Sequence, residues 1–525
     1  MRQVVGAPLL RRAWPALVPA LVLAVIYGAT VQRSTGNTFS LDTTKFEYVG
    51  RVLGTPHPPG YPLYTVLNAA FVQLVPVGSV ALRANLLSAV FALLACVAAV
   101  SVLRDLGLPP ALQAGGATTL GLLPAFWDDA VVAEVYSLTA LFMVGVLACI
   151  LRYERSGRPG WLRAGLLLFA LSFAHATSHV LLIPGLLLYL ALRWPRWLLR
   201  PRELLTLLPA GALLALLPYA YLPWRTAVAG DTWLETRVFD RHSLWAAMTG
   251  AQFGDRMFVL PWEVVRSERL PALAVAAFGQ LGPLVVLAAV GLLALAWQRP
   301  LVAVLTLSWV LGTGWFVLTY LVDDWLTLLL PVWLVLGIWT LVGIHRCVAA
   351  TGRRSASVAA VVAVALPLAA LLHGYPHVSR RGSDPQRDVD AAVAAVPDGS
   401  LVFTGSLEAR QQFVYRLLPD GYGLQHRVWV AEGSDHSRNP DAAVFWLRTY
   451  CTPSTRPWEW PWHELPASPS VARGLRTFVY GDGYADEVTA QGLQVRHVDG
   501  QLYAVSCPQP VPEASPDARP AAVSR

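Results

Sequence analysis

Asp42, Lys45, Glu47 and His57 stand in one short polar stretch between two apolar runs. A carboxylate, an ammonium and an imidazole in one place can take up a proton, release one, or hold an anion. The run His57-Pro58-Pro59-Gly60-Tyr61-Pro62-Leu63-Tyr64 is stiffened by prolines, which fix φ and bias the preceding residue to extended backbone, and by a glycine suited to a turn. Such a turn aims a side chain in one direction, and a short helix between Asp42 and His57 would fold the two onto one site. The same pattern also fits a structural turn that merely starts a helix. Lys45 is the single lysine of the chain, so no general preference for lysine accounts for its place beside Asp42.

These residues must be carried by a membrane protein. Of 525 residues, 55% are hydrophobic and only 14% charged, too little charge for a soluble globule of this size. The net charge of +7 does not indicate nucleic acid, because the arginines occur in small groups between apolar spans, as topology requires, and form no basic surface. Cys96, Cys149 and Cys347 fall in or at the ends of apolar segments and read as small buried hydrophobes. Cys451 and Cys507 fall in a polar C-terminal region and are candidates for a disulfide if that region faces an oxidising compartment. No metal-ligand spacing occurs among the cysteines.

The threading follows from apolar length and arginine position. The basic N-terminus and the run from about Trp14 read as an uncleaved signal anchor with the N-terminus in the cytoplasm. Residues 62–77, short and amphipathic, read as a helix lying on the outer surface. Spans then follow at about 83–103, 109–127, 133–151, 161–176, 179–194, 203–222, 271–296, 300–320, 325–345 and 355–373, about eleven in total. With this threading Arg104, the groups 152–163, 193–202, Arg299 and 346–354 all fall inside; making 62–77 a span would invert them. Outside then lie the Asp42 stretch, the Asp128–Glu134 turn, a loop of about 224–270 and the region after about 374. From there composition changes to that of a separate soluble domain: Ser400–Thr404, Arg427–Val430 and Thr477–Tyr480 read as strands and Asp388–Val396, Glu408–Leu417 and Asp441–Leu447 as helices. The expected organisation is a mainly α membrane bundle, 1–373, a small extracytoplasmic α/β domain, 374–508, and a disordered tail, 509–525.

Threading collects Asp42, Lys45, Glu47, His57, Asp128, Asp129, Glu134, His175, His179, Asp231, Asp323 and Asp324 at one boundary. About half of these suit a role as solvated or helix-capping groups. Glu134, at the start of a span, can bind a cation or a sugar hydroxyl. His175 and His179, at i and i+4, fit a metal, a phosphate contact or a solvated pair.

The order Asp42-Thr43-Thr44-Lys45-Phe46, Gly54-Thr55-Pro56-His57-Pro58-Pro59-Gly60-Tyr61-Pro62-Leu63-Tyr64 and Arg83-Ala84-Asn85-Leu86 closely resembles the N-terminal signature of the protein O-mannosyltransferase-like membrane proteins of the GT-C superfamily. Trp127 with Ala133-Glu134-Val135-Tyr136-Ser137-Leu138 is similar to that family's second motif, and Tyr320 to Pro331, with Asp323 and Asp324, more loosely to a later one. The resemblance is strongest over 40–140 and weakens in the C-terminal domain. Many relatives carry Asp-Ser-Gly-Glu where this chain has Asp42-Thr43-Thr44-Lys45, so lysine replaces the acidic partner of Asp42.

The resemblance implies a GT-C fold and a membrane glycosyltransferase of the plasma membrane. It would move mannose or a related hexose from a polyprenyl-phosphate donor in the bilayer to a hydroxyl of a protein or envelope-glycan acceptor on the outer face. In that chemistry the first outer loop, 33–82, is catalytic and Asp42 is the base. Lys45, His57 and Arg83 clamp the donor phosphate, and Glu134, His175, His179 and Asp324 orient the sugar or a divalent cation. Two other classes suit a polytopic chain: a transporter or lipid flippase, and a non-catalytic envelope-assembly scaffold. Transporters usually place ionisable groups near the midplane on broken helices, whereas here they gather at one interface.

Overall fold

The computed structural model describes residues 6–35, 42–193, 195–228, 234–322, 324–378, 386–397, 400–405, 407–417, 429–432, 476–490 and 492–506. The chain divides into two compact units, Met1–Ser383 and Asp384–Arg525.

The first unit is helical. Its leading elements are α1 (Gly6–Thr30), α2 (Thr43–Val52), α3 (Pro62–Leu74), α4 (Val80–Asp105), α5 (Pro110–Gly121), α6 (Pro124–Ala130), α7 (Tyr136–Ser156) and α8 (Pro159–Ser172). Ser79 caps α4 by accepting from the Leu82 amide at 3.1 Å, and Pro62 opens α3 at a position where its missing N–H costs nothing. A packed core of small and branched side chains from α1, α4, α5, α7 and the helix Leu330–Ala349 holds the unit together.

Eight helices among the described residues are long and apolar enough to cross a membrane: Ala13–Thr30, Val80–Asp105, Tyr136–Ser156, Pro201–Val228, Trp262–Gln298, Pro300–Thr319, Thr327–Ala349 and Gly352–Val378. The three further spans expected near 109–127, 161–176 and 179–194 contain shorter helices, Pro110–Gly121, Pro159–Ser172 and Ile183–Arg193. Helix α3 has thirteen residues, a length of about 20 Å against a hydrocarbon core of about 30 Å, so it does not cross.

Helix α4 sets the two ends of the bundle apart. Its twenty-six residues extend about 39 Å. At its C-terminus the buried Asp105 carboxylate is held by Arg152 Nε at 2.9 Å and Arg155 Nη1 at 2.9 Å, with Arg104 Nε at 3.6 Å. Arg163 pairs with Glu203 and Arg193 with Glu154. Cys96 is buried, as expected, whereas Cys347 is exposed on the last turn of its helix, so the reading of that cysteine as a buried hydrophobe does not hold.

The second unit contains β1 (Ser400–Thr404), β2 (Trp429–Glu432), β3 (Arg476–Tyr480), β4 (Gln494–Asp499) and β5 (Leu502–Ser506) in the order β2-β1-β3-β5-β4. β1 pairs in parallel with β2 and β3, and β5 pairs antiparallel with β3 and β4. Helices Gln386–Ala395, Leu407–Leu417 and Asp482–Ala490 accompany the sheet, and Val402, Phe413, Phe478 and Leu502 form its core. The expected helix Asp441–Leu447, Cys451, Cys507 and the tail lie outside the described residues.

Candidate active site

Asp42 occupies the N-cap position of α2, and its side chain is 32% exposed. One turn later Lys45 is buried, 2% exposed, with Nζ 2.8 Å from Asp42 Oδ1. The first helical turn thus places both groups side by side. The close packing of α2 on α3 keeps them there: Asn68 Nδ2 donates to the Phe46 carbonyl at 3.0 Å, and a Cβ on Gly50 would collide with Asn68 and with the Asn68–Ala69 backbone.

His57 returns to the same point from the proline turn. Its Nδ1 is 3.1 Å from Lys45 Nζ, and its Nε2 is 3.6 Å from Asp42 Oδ2 and 3.3 Å from Tyr61 Oη. An ammonium has only donors, so Nδ1 must be the unprotonated nitrogen, leaving the proton on Nε2. The third contact of Lys45 is Glu235 Oε2 at 2.9 Å. Asp42, Glu235 and His57 therefore engage all three protons of the ammonium.

Glu235 was not singled out in the sequence. It reaches the site because the segment after it is fastened to the loop before His57. The Glu235 amide donates to the Thr55 carbonyl at 2.8 Å, Thr55 Oγ1 to the Thr236 carbonyl at 2.6 Å, and Thr236 Oγ1 to the Pro56 carbonyl at 2.5 Å. Arg225 Nε and Tyr221 Oη donate to the carbonyls of Leu53 and Gly54, and Phe253 lies edge-on to His57 with centroids 6.4 Å apart. Nothing in local spacing identifies an acid in the middle of a long loop as a partner of Lys45.

Charge follows from this packing. Burial pushes the Asp42 carboxyl up, but the positive charges of His57 and Lys45 outweigh it and hold it at about 2. Burial lowers His57, Asp42 and Glu235 raise it, Lys45 opposes them, and the net direction is down from 6.5. With His57 neutral at pH 7, the cation acting on Asp42 is Lys45, which burial alone would lower but Asp42 and Glu235 raise above its ordinary value.

Glu134 stands near Tyr61 and the start of α2. Its buried Oε1 accepts from Thr43 Oγ1 at 2.8 Å, beside Asp42 in sequence, and its backbone is held by Ser88. Glu47 is buried and accepts from Asn85 Nδ2 at 3.0 Å. Burial, then Asp42 and Glu134, raise the Tyr61 phenol well above its ordinary value. A cavity of about 140 Å³ opens beside Tyr61, walled by Pro59, Tyr136, His179, Phe316 and Pro331 among others.

Of the remaining expected site residues, His175 lies against Tyr61 with ring centroids 6.2 Å apart, and His179 walls the same cavity. Arg83 donates to the carbonyls of Val72 at 2.9 Å, Val77 at 3.2 Å and Gly78 at 2.9 Å, so it closes the C-terminal end of α3. The expected direct clamp on a phosphate beside Asp42 would require these bonds to give way. His175 Nε2 meets Thr139 Oγ1 and the Val135 carbonyl, both at 3.0 Å, and His179 Nδ1 meets the Ala176 carbonyl at 2.9 Å. The two rings stand on a break between α8 and the next helix, 6.1 Å apart. Among the described residues no group of three or more His, Cys, Asp or Glu could hold a metal ion. Asp324 lies in the loop before Leu330–Ala349, where its charge contributes to raising Tyr320, after burial and against Arg256. Asp231 and Asp323 lie outside the described residues.

Comparison with known proteins places this geometry. Residues 42–198 match the family model of the Protein O-mannosyl-transferase TMEM260 N-terminal domain. The match begins at Asp42 and includes Lys45, His57 and Glu134, so the resemblance carried by the motifs holds for the segment that builds the site. Protein O-mannosyl-transferase TMEM260 of Mus musculus is 32% identical over 225 residues, 40% of this chain and 30% of the mouse protein; the aligned part spans less than a third of that relative. Two solved structures of ArnT from Cupriavidus metallidurans, one bound to undecaprenyl phosphate and one in the apo state, superpose with TM-scores of 0.58 and 0.56. At 14% identity each covers 94% of this chain and 98% of that one. The fold is therefore like that of the ArnT structures, a multi-pass helical membrane unit, with a small C-terminal sheet domain.

Proposed function

We propose that this protein is a membrane glycosyltransferase that moves a hexosyl group from a polyprenyl-phosphate carrier to an acceptor hydroxyl. The observation that carries the reading is the Asp42–Lys45–His57 cluster, built by the segment that matches the O-mannosyl-transferase domain family, at the end of the bundle opposite the arginine-rich end. The ArnT structure bound to undecaprenyl phosphate supports a polyprenyl-phosphate donor.

The reaction breaks the bond between the anomeric carbon and the phosphate oxygen, and the bonding pair leaves with the phosphate. As the acceptor oxygen bonds the anomeric carbon, in a transition state of oxocarbenium character, its proton becomes strongly acidic. A carboxylate held at about 2 is then basic enough to remove it, although it would be a poor base toward a free alcohol. Asp42 Oδ2, on the His57 side, is our candidate proton acceptor. Lys45 contributes its field to the departing phosphate and holds Asp42 and His57 in place; His57 Nε2–H is the donor for a phosphate oxygen. Glu134 and the hydroxyls beside it suit sugar orientation, as a carboxylate or through a divalent cation.

Positive-inside threading puts the N-terminus in the cytoplasm and the site and C-terminal domain outside a plasma membrane. The grouping of Arg104, Arg152 and Arg155 at one bundle end supports it. The acceptor, protein or envelope glycan, would approach from that outer side. Purified protein in lipid nanodiscs, incubated with polyprenyl-phosphate hexoses and acceptor, should release polyprenyl phosphate. Donor translocation without release would indicate a transporter, and neither event a scaffold.

A further inference from the structure

Lys45 stands between two carboxylates from segments far apart in the chain. We infer that Glu235 is a positioning residue for the proposed reaction, acting on Asp42 through Lys45, so that the buried charge of Lys45 is balanced by an acid brought in on the 234–238 segment. The inference rests on the glycosyltransferase reading for its activity readout.

Three observations carry it. Lys45 Nζ contacts Asp42 Oδ1, Glu235 Oε2 and His57 Nδ1 at 2.8, 2.9 and 3.1 Å, one acceptor for each ammonium proton. Lys45 is 2% exposed, and a buried charge is tolerated only when paired and hydrogen-bonded. Finally, three hydrogen bonds between Thr55, Pro56 and the 235–236 backbone and side chains fix where Glu235 enters.

The charged and titratable groups assembled here are Asp42 and Lys45 from the start of α2, His57 and Tyr61 from the proline turn, and Glu235 from the later loop. Without Lys45, Asp42 and Glu235 would lose the cation that bridges them. Removing the cation should therefore harm the site more while Glu235 keeps its charge.

The test is a four-member set: native protein, Lys45→Met, Glu235→Gln and Lys45→Met/Glu235→Gln, assayed for lipid-phosphate release and by thermal unfolding. Lys45→Met should lower turnover at least about tenfold, the equivalent of one pKa unit of lost charge pairing, and lower the unfolding temperature. Glu235→Gln should lose less, since its amide oxygen still accepts from Lys45. The double variant should recover part of both losses relative to Lys45→Met, because glutamine keeps the volume and removes the charge. A double variant at or below Lys45→Met in turnover and unfolding temperature overturns the inference. If the native protein releases no lipid phosphate, the glycosyltransferase reading fails, and the unfolding temperatures of the same four proteins decide whether Glu235 balances Lys45.

Discussion

Asp42 presents one oxygen to Lys45 and turns the other toward His57, at 2.8 and 3.6 Å. That asymmetry decides how each group can act. With its carboxyl at about 2, Asp42 stays ionised throughout the neutral range and does not shape the pH dependence there. His57 does, because protonation of Nδ1 must break its contact with Lys45 and add a second cation. Its lowered value places the titration below 6.5, so turnover should be flat above that point and fall on the acid side. Initial rates from pH 5 to 8 for native protein and His57→Gln check this: the variant should be slower and lack the acid limb. A limb of unchanged midpoint in His57→Gln would assign it elsewhere. Lys45 turns from an apparent lost acid into the centre of the cluster, a role no local pattern specifies.

The elements bring these groups together through two close contacts, α2 on α3 and the 234–238 segment on the loop before His57. At Gly50 the first contact has no room for a side chain. Gly50→Ala should destabilise the protein by about 1–3 kcal/mol, the usual cost of overpacking, and reduce donor turnover in the fraction that folds; thermal unfolding in detergent would show it, and an unchanged unfolding temperature would contradict the packing. Much of this level was legible in the sequence. The helix between Asp42 and His57, the short helix after Pro62, and strands β1 and β3 follow from proline placement and short apolar runs. Long-range pairings were not legible. Arg83 stands in a family motif yet closes α3, since carbonyls freed at a helix end attract a nearby guanidinium. Glu235 looks like any loop acid until tertiary hydrogen bonds to Thr55 and Pro56 fix its position. The β4–β5 hairpin and the helix Asp482–Ala490 were missed because their apolar signal is short and interrupted by glycine and charge.

At the scale of the molecule, a helical bundle with an ArnT-like fold separates an arginine-rich end from an end holding buried and half-buried acids around one lysine. If the arginine end is cytoplasmic, residue 353, exposed in the first turn of the last apolar helix, faces inward. In an otherwise cysteine-free protein, Arg353→Cys should react with a membrane-impermeant maleimide only after cells are permeabilised; labelling of intact cells would reverse the topology and put the Asp42 cluster on the wrong face for an outer acceptor. The central claim is that this cluster transfers a glycosyl group with Asp42 as proton acceptor. Its most direct test compares initial rates of polyprenyl-phosphate release by native protein and Asp42→Asn in nanodiscs at saturating donor. The account predicts a loss of about 10²–10⁴-fold with the fold retained by thermal unfolding. Near-native release by Asp42→Asn would contradict it.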